Sequence, residues 1–194
     1  MNLPNKLTVL RMIMVPFFLI CMTLDFYGHY LAALILFCLA SITDYFDGKL
    51  ARERGLITNF GKFLDPLADK MLTTSALLGF ILMGNDHVPG ALWVAFITLF
   101  REFLVAGIRL SAVADGGKVI AANMWGKAKT VSQMVAIILI LLFQFVGEAY
   151  TVDDGLFRIL ELSGTCILWI SAVLTVISGA IYVAENAKYI DYKN

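Results

Sequence analysis

Residues 29–83 read HYLAALILFCLASITDYFDGKLARERGLITNFGKFLDPLADKMLTTSALLGFILM. Both ends of this stretch are apolar and its centre is charged. That is the pattern of two membrane helices joined by a short turn, with their charged ends side by side. Within the centre, Asp44-Tyr45-Phe46-Asp47-Gly48-Lys49-Leu50-Ala51-Arg52 is followed, after eight intervening residues, by Gly61-Lys62-Phe63-Leu64-Asp65-Pro66-Leu67-Ala68-Asp69. A carboxylate at bilayer depth costs roughly 2.5–3.5 kcal/mol on insertion scales, so four in one regular pattern point to function.

The rest of the chain extends this reading outward. It has 194 residues, 60% of them hydrophobic, and a mean hydropathy of +0.81. A soluble domain is usually about 45–50% apolar. The excess lies in long runs near the length that spans a bilayer. We predict spans over Thr8–Leu24, His29–Arg52, Asn59–Met83, Pro89–Ala112, Asn123–Val146 and Gly164–Ala187. The expected fold is all-α: a polytopic integral membrane protein of six transmembrane helices. It forms a single domain over residues 1–194, opening on a short amphipathic segment at about residues 1–10. The breaks are Asp25-Phe26-Tyr27-Gly28, Glu53-Arg54-Gly55, Gly84-Asn85-Asp86-His87, Asp115-Gly116-Gly117 and Glu148 to Glu161, all turn-forming or charged. Cys21, Cys38 and Cys166 are widely spaced within apolar runs and read as small buried hydrophobes. Lys6 and Arg11 precede an apolar stretch without a small-residue cleavage site, so no cleavable signal is expected.

Formal net charge is zero, so bulk charge gives no ground for a nucleic-acid partner. Placement of the bases sets orientation. One set of loops holds Asp25, Asp86, Glu148, Asp153, Asp154 and Glu161, with Arg158 as its base. The other side holds Lys6, Arg11, Lys49, Arg52, Arg54, Lys118, Lys127, Lys129, Lys188 and Lys193. Both termini are therefore expected in the cytoplasm. The aspartates then sit at the cytoplasmic ends of the second and third spans of a multi-pass cell-membrane protein.

Residues three or four apart share a helix face. Asp44 and Asp47 form one pair and Asp65 and Asp69 another, with Gly48 and Gly61 each one turn nearer the cytoplasm. If the two helices are antiparallel neighbours, the pairs converge. Converging carboxylates repel unless protonated or neutralised by cations. Oxygen-only ligands suit Mg²⁺, Mn²⁺ or Ca²⁺ rather than zinc or copper. Four carboxylates suffice for two ions, the arrangement that clamps a phosphoryl group during displacement. Gly48 and Gly61 allow a pyrophosphate to approach the backbone, and Arg52 can neutralise phosphate. The competing explanation is a set of structural ion pairs with Lys49, Arg52, Lys62 and Lys70, which does not account for the regular spacing.

These residues resemble the CDP-alcohol phosphotransferase family, whose signature is D-x-x-D-G-x-x-A-R followed by G-x-x-x-D-x-x-x-D. Asp44, Asp47, Gly48, Ala51, Arg52, Gly61, Asp65 and Asp69 fill every fixed position. The resemblance implies a lipid donor carrying a CDP group and two Mg²⁺ or Mn²⁺ ions. It implies that Asp44, Asp47 and Asp65 ligate the ions, with Asp69 contributing to one. Asp69 is also implied as the general base that deprotonates the acceptor alcohol. Gly48 and Gly61 leave room for the nucleotide, Ala51 and Arg52 line the same pocket, and the chain forms a homodimer.

Three further clusters resemble the branch of that family whose acceptor is sn-glycerol 3-phosphate and whose donor is CDP-diacylglycerol. They are Leu3-Pro4-Asn5-Lys6-Leu7-Thr8-Val9-Leu10-Arg11, the run from Arg101 to Arg109, and the run from Gly126 to Gln133. Arg109, Lys127 and Lys129 suit an acceptor phosphate, whereas Lys118 reads as positive-inside charge facing anionic membrane lipids. Arg101 and Glu102 lie mid-span and must face protein or a wet cavity. Either they pair with Lys70 or Arg101 holds phosphate. Asn5, Thr8 and Arg11 either anchor an interfacial helix or join the substrate pocket. Two rival functions follow. One is a transferase of the same family with another alcohol, such as inositol phosphate. The other is a divalent-cation transporter, which predicts acids along a path to both faces. The outer halves of the second and third spans lack them.

Overall fold

The computed structural model describes residues 2–53, 59–114 and 124–186. Six α-helices and no strands occur among the described residues: α1 Leu3–Thr23, α2 His29–Glu53, α3 Asn59–Met83, α4 Ala91–Ala114, α5 Met124–Ala149 and α6 Asp154–Asn186. Five of them are long and apolar enough to cross a membrane: α1 and α3 to α6. In α2 only His29–Asp44 is apolar, about 24 Å at 1.5 Å per residue. The remainder of α2 carries Asp47, Lys49, Arg52 and Glu53. The architecture is thus the expected polytopic bundle, with one helix whose polar end holds half of the aspartate pattern.

Several boundaries differ from expectation. α1 begins at Leu3 rather than Thr8, with Pro4 in its first turn, where its missing N–H costs nothing. The break predicted from Glu148 to Glu161 shrinks to Tyr150–Asp153, because α5 runs on to Ala149 and α6 begins at Asp154. Asp153 explains the early start. Its Oδ2 accepts from the backbone N–H groups of Gly155 at 3.1 Å and Leu156 at 3.2 Å, satisfying donors that a helix N-terminus leaves free. The fourth helix starts at Ala91 rather than Pro89, after Gly90 turns the chain at φ +75°. A Cβ at Gly90 would lie 2.6 Å from the Trp169 ring, and Trp169 Nε1 donates to the Pro89 carbonyl at 3.1 Å. Glycine here therefore meets a backbone and a packing requirement together.

The packing also departs from a simple hairpin. Among the described residues α2 and α3 touch sparingly, while α1 packs along both of them. The other main pairings are α5 with α6, α4 with α6, α2 with α5, and α3 with α4. The core joins Phe18 of α1, Phe37 of α2, Leu77 and Phe80 of α3, Ile137 and Leu141 of α5 and Leu168 of α6, all fully buried. Small residues set the closest approach: Gly164 of α6 would place a Cβ 2.9 Å from the Ile140 side chain. The outward face of α4 presents Leu92, Phe96, Phe100, Phe103 and Leu110, an apolar stripe suited to lipid. Cys166 is exposed, against the reading of all three cysteines as buried.

One end of the bundle is closed by polar contacts. Buried Glu161 accepts from Gln144 Nε2 at 2.9 Å, His87 Nδ1 lies 2.7 Å away, and Arg158 pairs with it at 3.4 Å. Arg158 also donates to the Asp86 carbonyl, and Gly28 N–H donates to Glu148. A buried carboxylate is tolerable where several donors meet it. The aspartate pattern lies at the other end of α2 and α3.

Candidate active site

The site is built where polar residues of five helices meet, from the start of α5 to the middle of α4. In α1 the buried positions are Asn5, Thr8, Arg11, Val15, Phe18, Cys21 and Met22. This three-and-four spacing marks one inward face, polar in its first half and apolar after it. Asn5, Thr8 and Arg11 therefore face protein, while Lys6 is exposed. Arg11 is fully buried, and its Nη1 lies 2.5 Å from Asp44 Oδ1 at the end of the apolar part of α2. Asp44 remains about half exposed, so it keeps access to solvent or a ligand on its other side.

From α3 comes Asp69, accessible, beside fully buried Ala68. Asp69 stands within electrostatic reach of Asp44 on α2, Arg11 on α1, Glu102 on α4 and Lys129 on α5. This one residue therefore locates the convergence of five helices. The lowest-dielectric part of the chain would not tolerate such a gathering of charge unless it were mutually paired or open to water.

Glu102 of α4 is the hub on the far side of Asp69. Its Oε1 accepts from Lys129 Nζ at 2.8 Å and Arg101 Nη1 at 3.1 Å, and its Oε2 lies 3.5 Å from Lys70 Nζ. Lys129 is buried. The stem of Arg101 crosses Gly179 of α6, where a Cβ would sit 3.1 Å from its Cγ. The expected contact with Lys70 is thus made by Glu102, and Arg101 completes the same cluster.

The bases assigned to an acceptor phosphate are not gathered in one place. Lys129 is inside, on Glu102. Lys127, two residues earlier and hence on another face, is exposed. Arg109 is exposed two turns along α4, its Nε 3.4 Å from the Tyr182 hydroxyl and its guanidinium 5.7 Å from that ring's centroid. A cation over a tyrosine face is held by the ring quadrupole. Lys118 falls outside the described residues.

Of the aspartate pattern, Asp44 and Asp69 are described with their side chains, and Gly61 is buried at the start of α3. The side chains of Asp47, Ala51, Arg52 and Asp65 and the surroundings of Gly48 lie outside the described residues. Their backbones are helical, so Asp47 follows Asp44 by three positions on α2, and Asp65 precedes Asp69 by four on α3. Among the described residues no group of three or more His, Cys, Asp or Glu could by itself hold a metal ion. The donor chemistry that is described consists of carboxylate oxygens, which fits a hard divalent cation such as Mg²⁺ or Mn²⁺.

Of the two readings of Asn5, Thr8 and Arg11, an interfacial anchor or a part of the pocket, their burial favours the second, and sequence reasoning passes over two further participants. Tyr182 and Gly179 carry no local signal, because their partners Arg109 and Arg101 lie on another helix.

Comparison with known proteins places this geometry in context. The profile of the CDP-alcohol phosphatidyltransferase family matches residues 1–177. A CDP-diacylglycerol–glycerol-3-phosphate 3-phosphatidyltransferase of Bacillus subtilis (strain 168) is 41% identical over 197 residues, covering 95% of each chain. A protein of the same name from Rickettsia felis is 37% identical, covering 97% of each chain. Another from Pseudomonas fluorescens is 37% identical over 149 residues, covering 73% of this chain and 72% of its own.

Proposed function

The chain belongs to the CDP-alcohol phosphatidyltransferase family, and from that premise we propose that it transfers a phosphatidyl group from CDP-diacylglycerol to sn-glycerol 3-phosphate. The products are phosphatidylglycerophosphate and CMP. Relatives named for this reaction cover nearly the whole chain. The observation in the structure that carries the reading is the position of Asp69. It is an accessible carboxylate in electrostatic reach of a second aspartate and of the buried base Lys129.

The acceptor hydroxyl gives its proton to an Asp69 oxygen as the new bond forms. The alcohol oxygen attacks the lipid-side phosphorus of the pyrophosphate, and the bond to the CMP oxygen breaks. Asp44, Asp47, Asp65 and Asp69 would hold the divalent ions on which the family generally depends, two Mg²⁺ or Mn²⁺ in this reading. When bound, the ions neutralise charge on the pyrophosphate. Arg11 holds Asp44 in place from the protein side, which supports a fixed donor orientation. Gly48, Ala51, Arg52 and Gly61 form the nucleotide pocket. Lys129 attracts the acceptor phosphate from inside the cluster on Glu102, Arg109 and Lys127 add positive charge from their exposed positions, and Arg101, Asn5 and Thr8 border the cavity. Arginine forks and lysine point charges are both suited to a phosphate monoester.

The chain works as a homodimer in the cell membrane, with both termini and the site on the cytoplasmic face. The distribution of Lys and Arg supports that orientation. Purified protein with CDP-diacylglycerol and a panel of acceptors tests the acceptor. Mass spectrometry of the lipid product should give phosphatidylglycerophosphate with glycerol 3-phosphate and no adduct with inositol phosphate or serine. A lipid product with either of those, and none with glycerol 3-phosphate, would refute the assignment.

A further inference from the structure

We propose that Glu102 is a positioning residue for acceptor recognition, holding Lys129 and Arg101 as a preset pair of donors for a phosphate dianion. The proposal rests on the reading of Lys129 as an acceptor-phosphate base. Glu102 lies in the middle of the apolar span Ala91–Ala112, where a charge persists only when paired or wetted. It meets three cations from three helices: Lys70 at 3.5 Å, Arg101 at 3.1 Å and Lys129 at 2.8 Å.

The charge count of this cluster is uneven. Three cations meet one carboxylate, and the cluster stays net positive after Asp69, which lies in electrostatic reach of Glu102 and Lys129, is counted. A phosphate monoester carries about −1.5 to −2 at neutral pH and is drawn to such a cluster, whereas a neutral alcohol acceptor is not. Arg101 supplies a second sign of a missing anion. Its buried Nε has no hydrogen-bond partner among the described residues, although Nη1 is engaged by Glu102. Polar groups buried in this way ordinarily find a partner.

Glu102 also supplies the geometry. Lysine ends a flexible stem with a point charge, and a buried lysine without a fixed partner would not present that charge in one place. Lys129 Nζ is fixed by Glu102 Oε1, which also fixes Arg101 Nη1, so the two donors flank one oxygen. The Arg101 stem is held from behind by close approach to Gly179. Asp69 lies in electrostatic reach of both Glu102 and Lys129, so a phosphate bound at this pair keeps its alcohol near the base. Glu102 touches the donors and not the substrate, and it acts through them.

Steady-state kinetics of the full-length protein in detergent, varying each substrate, test the proposal with Glu102→Gln, Glu102→Asp, Lys129→Met and the double variant Glu102→Gln/Lys129→Met. Glu102→Gln should raise the acceptor KM about tenfold, as loss of a charge-assisted contact does, and leave the donor KM within about threefold. Glu102→Asp, which keeps the charge but withdraws it by one methylene, should leave the acceptor KM above wild type and below that of Glu102→Gln, with the donor KM unaltered. The double variant should be worse than Lys129→Met alone, because Arg101 also loses its hold, but by less than the product of the two single effects, since residues acting through one another are not additive. An unchanged acceptor KM in Glu102→Gln overturns the proposal, as do an equal rise in both KM values or multiplying effects in the double variant. If Glu102→Gln does not fold, Glu102→Asp decides: a raised acceptor KM beside an unaltered donor KM supports the proposal, and equal changes overturn it. Should the wild-type protein release CMP without needing glycerol 3-phosphate, the transferase reading fails first. Should the wild type need it while Glu102→Gln is indifferent, only the role of Glu102 fails.

Discussion

Replacing Arg11 by Met removes a fully buried guanidinium from Asp44 while keeping a stem that fills the space. Breaking a buried ion pair on one side costs about 3–5 kcal/mol when the partner is left stranded. Asp44 is not stranded, because its side chain is 46% exposed and can recover water. The loss then falls toward the lower part of the range for a charge-assisted hydrogen bond, about 1.5–3 kcal/mol. A value of about 2 kcal/mol corresponds to a drop in Tm of about 4–8 °C for a chain of this size. The assay is thermal unfolding in detergent, followed by tryptophan fluorescence, with and without saturating Mg²⁺ or Mn²⁺. The variant should also regain more stability from the divalent ion than the wild type does, because it has lost the guanidinium that neutralised Asp44. A Tm within about 1 °C of wild type would refute the inference that this contact ties α1 to the site. Equal stabilisation of both proteins by the ion would refute its link to Asp44 charge.

Three further outcomes are expected. Asp69→Asn should lower kcat by about 10²–10⁴, the range for loss of a positioned base. It should retain CDP-dependent thermal stabilisation, and a wild-type rate would remove Asp69 from that role. Asp44→Asn should raise the metal concentration for half-maximal activity about tenfold or more, as loss of a charged oxygen ligand does; an unchanged metal titration would contradict its assignment as a ligand. Gly90→Ala forces a Cβ toward the Trp169 ring at a residue with φ +75°. Backbone strain of about 1–2 kcal/mol and overpacking of about 1–3 kcal/mol should together lower Tm with little effect on KM, and an unaltered Tm would count against the described turn.

Much of the architecture was legible because the bilayer imposes its own length and polarity rules. The starts of the second and third helices at His29 and Asn59, and the end of the third at Met83, follow from where apolar runs meet charge. The turn between α5 and α6 is shorter than the sequence suggests because Glu148, Asp153, Asp154 and Glu161 look like solvent-facing loop residues. In the folded chain Asp153 caps a helix and Glu161 is buried among His87, Gln144 and Arg158. Charge in a sequence does not say whether a partner awaits it. The regular aspartate spacing marked the candidate site, since helix periodicity alone puts Asp44 with Asp47 and Asp65 with Asp69 on shared faces. What periodicity does not encode is which helices adjoin. The packing of α1 along both α2 and α3 brings Arg11 to Asp44, and neither residue signals the other. The same limit explains Lys127 and Lys129: two positions apart and alike in type, one ends on the surface and the other inside against Glu102.

The central claim is tested most directly by CMP release from CDP-diacylglycerol in detergent, with Mg²⁺ or Mn²⁺ present or chelated and glycerol 3-phosphate present or withheld. Release that requires both the metal and glycerol 3-phosphate is the predicted result. Metal-dependent release that is indifferent to glycerol 3-phosphate would contradict transfer to that acceptor.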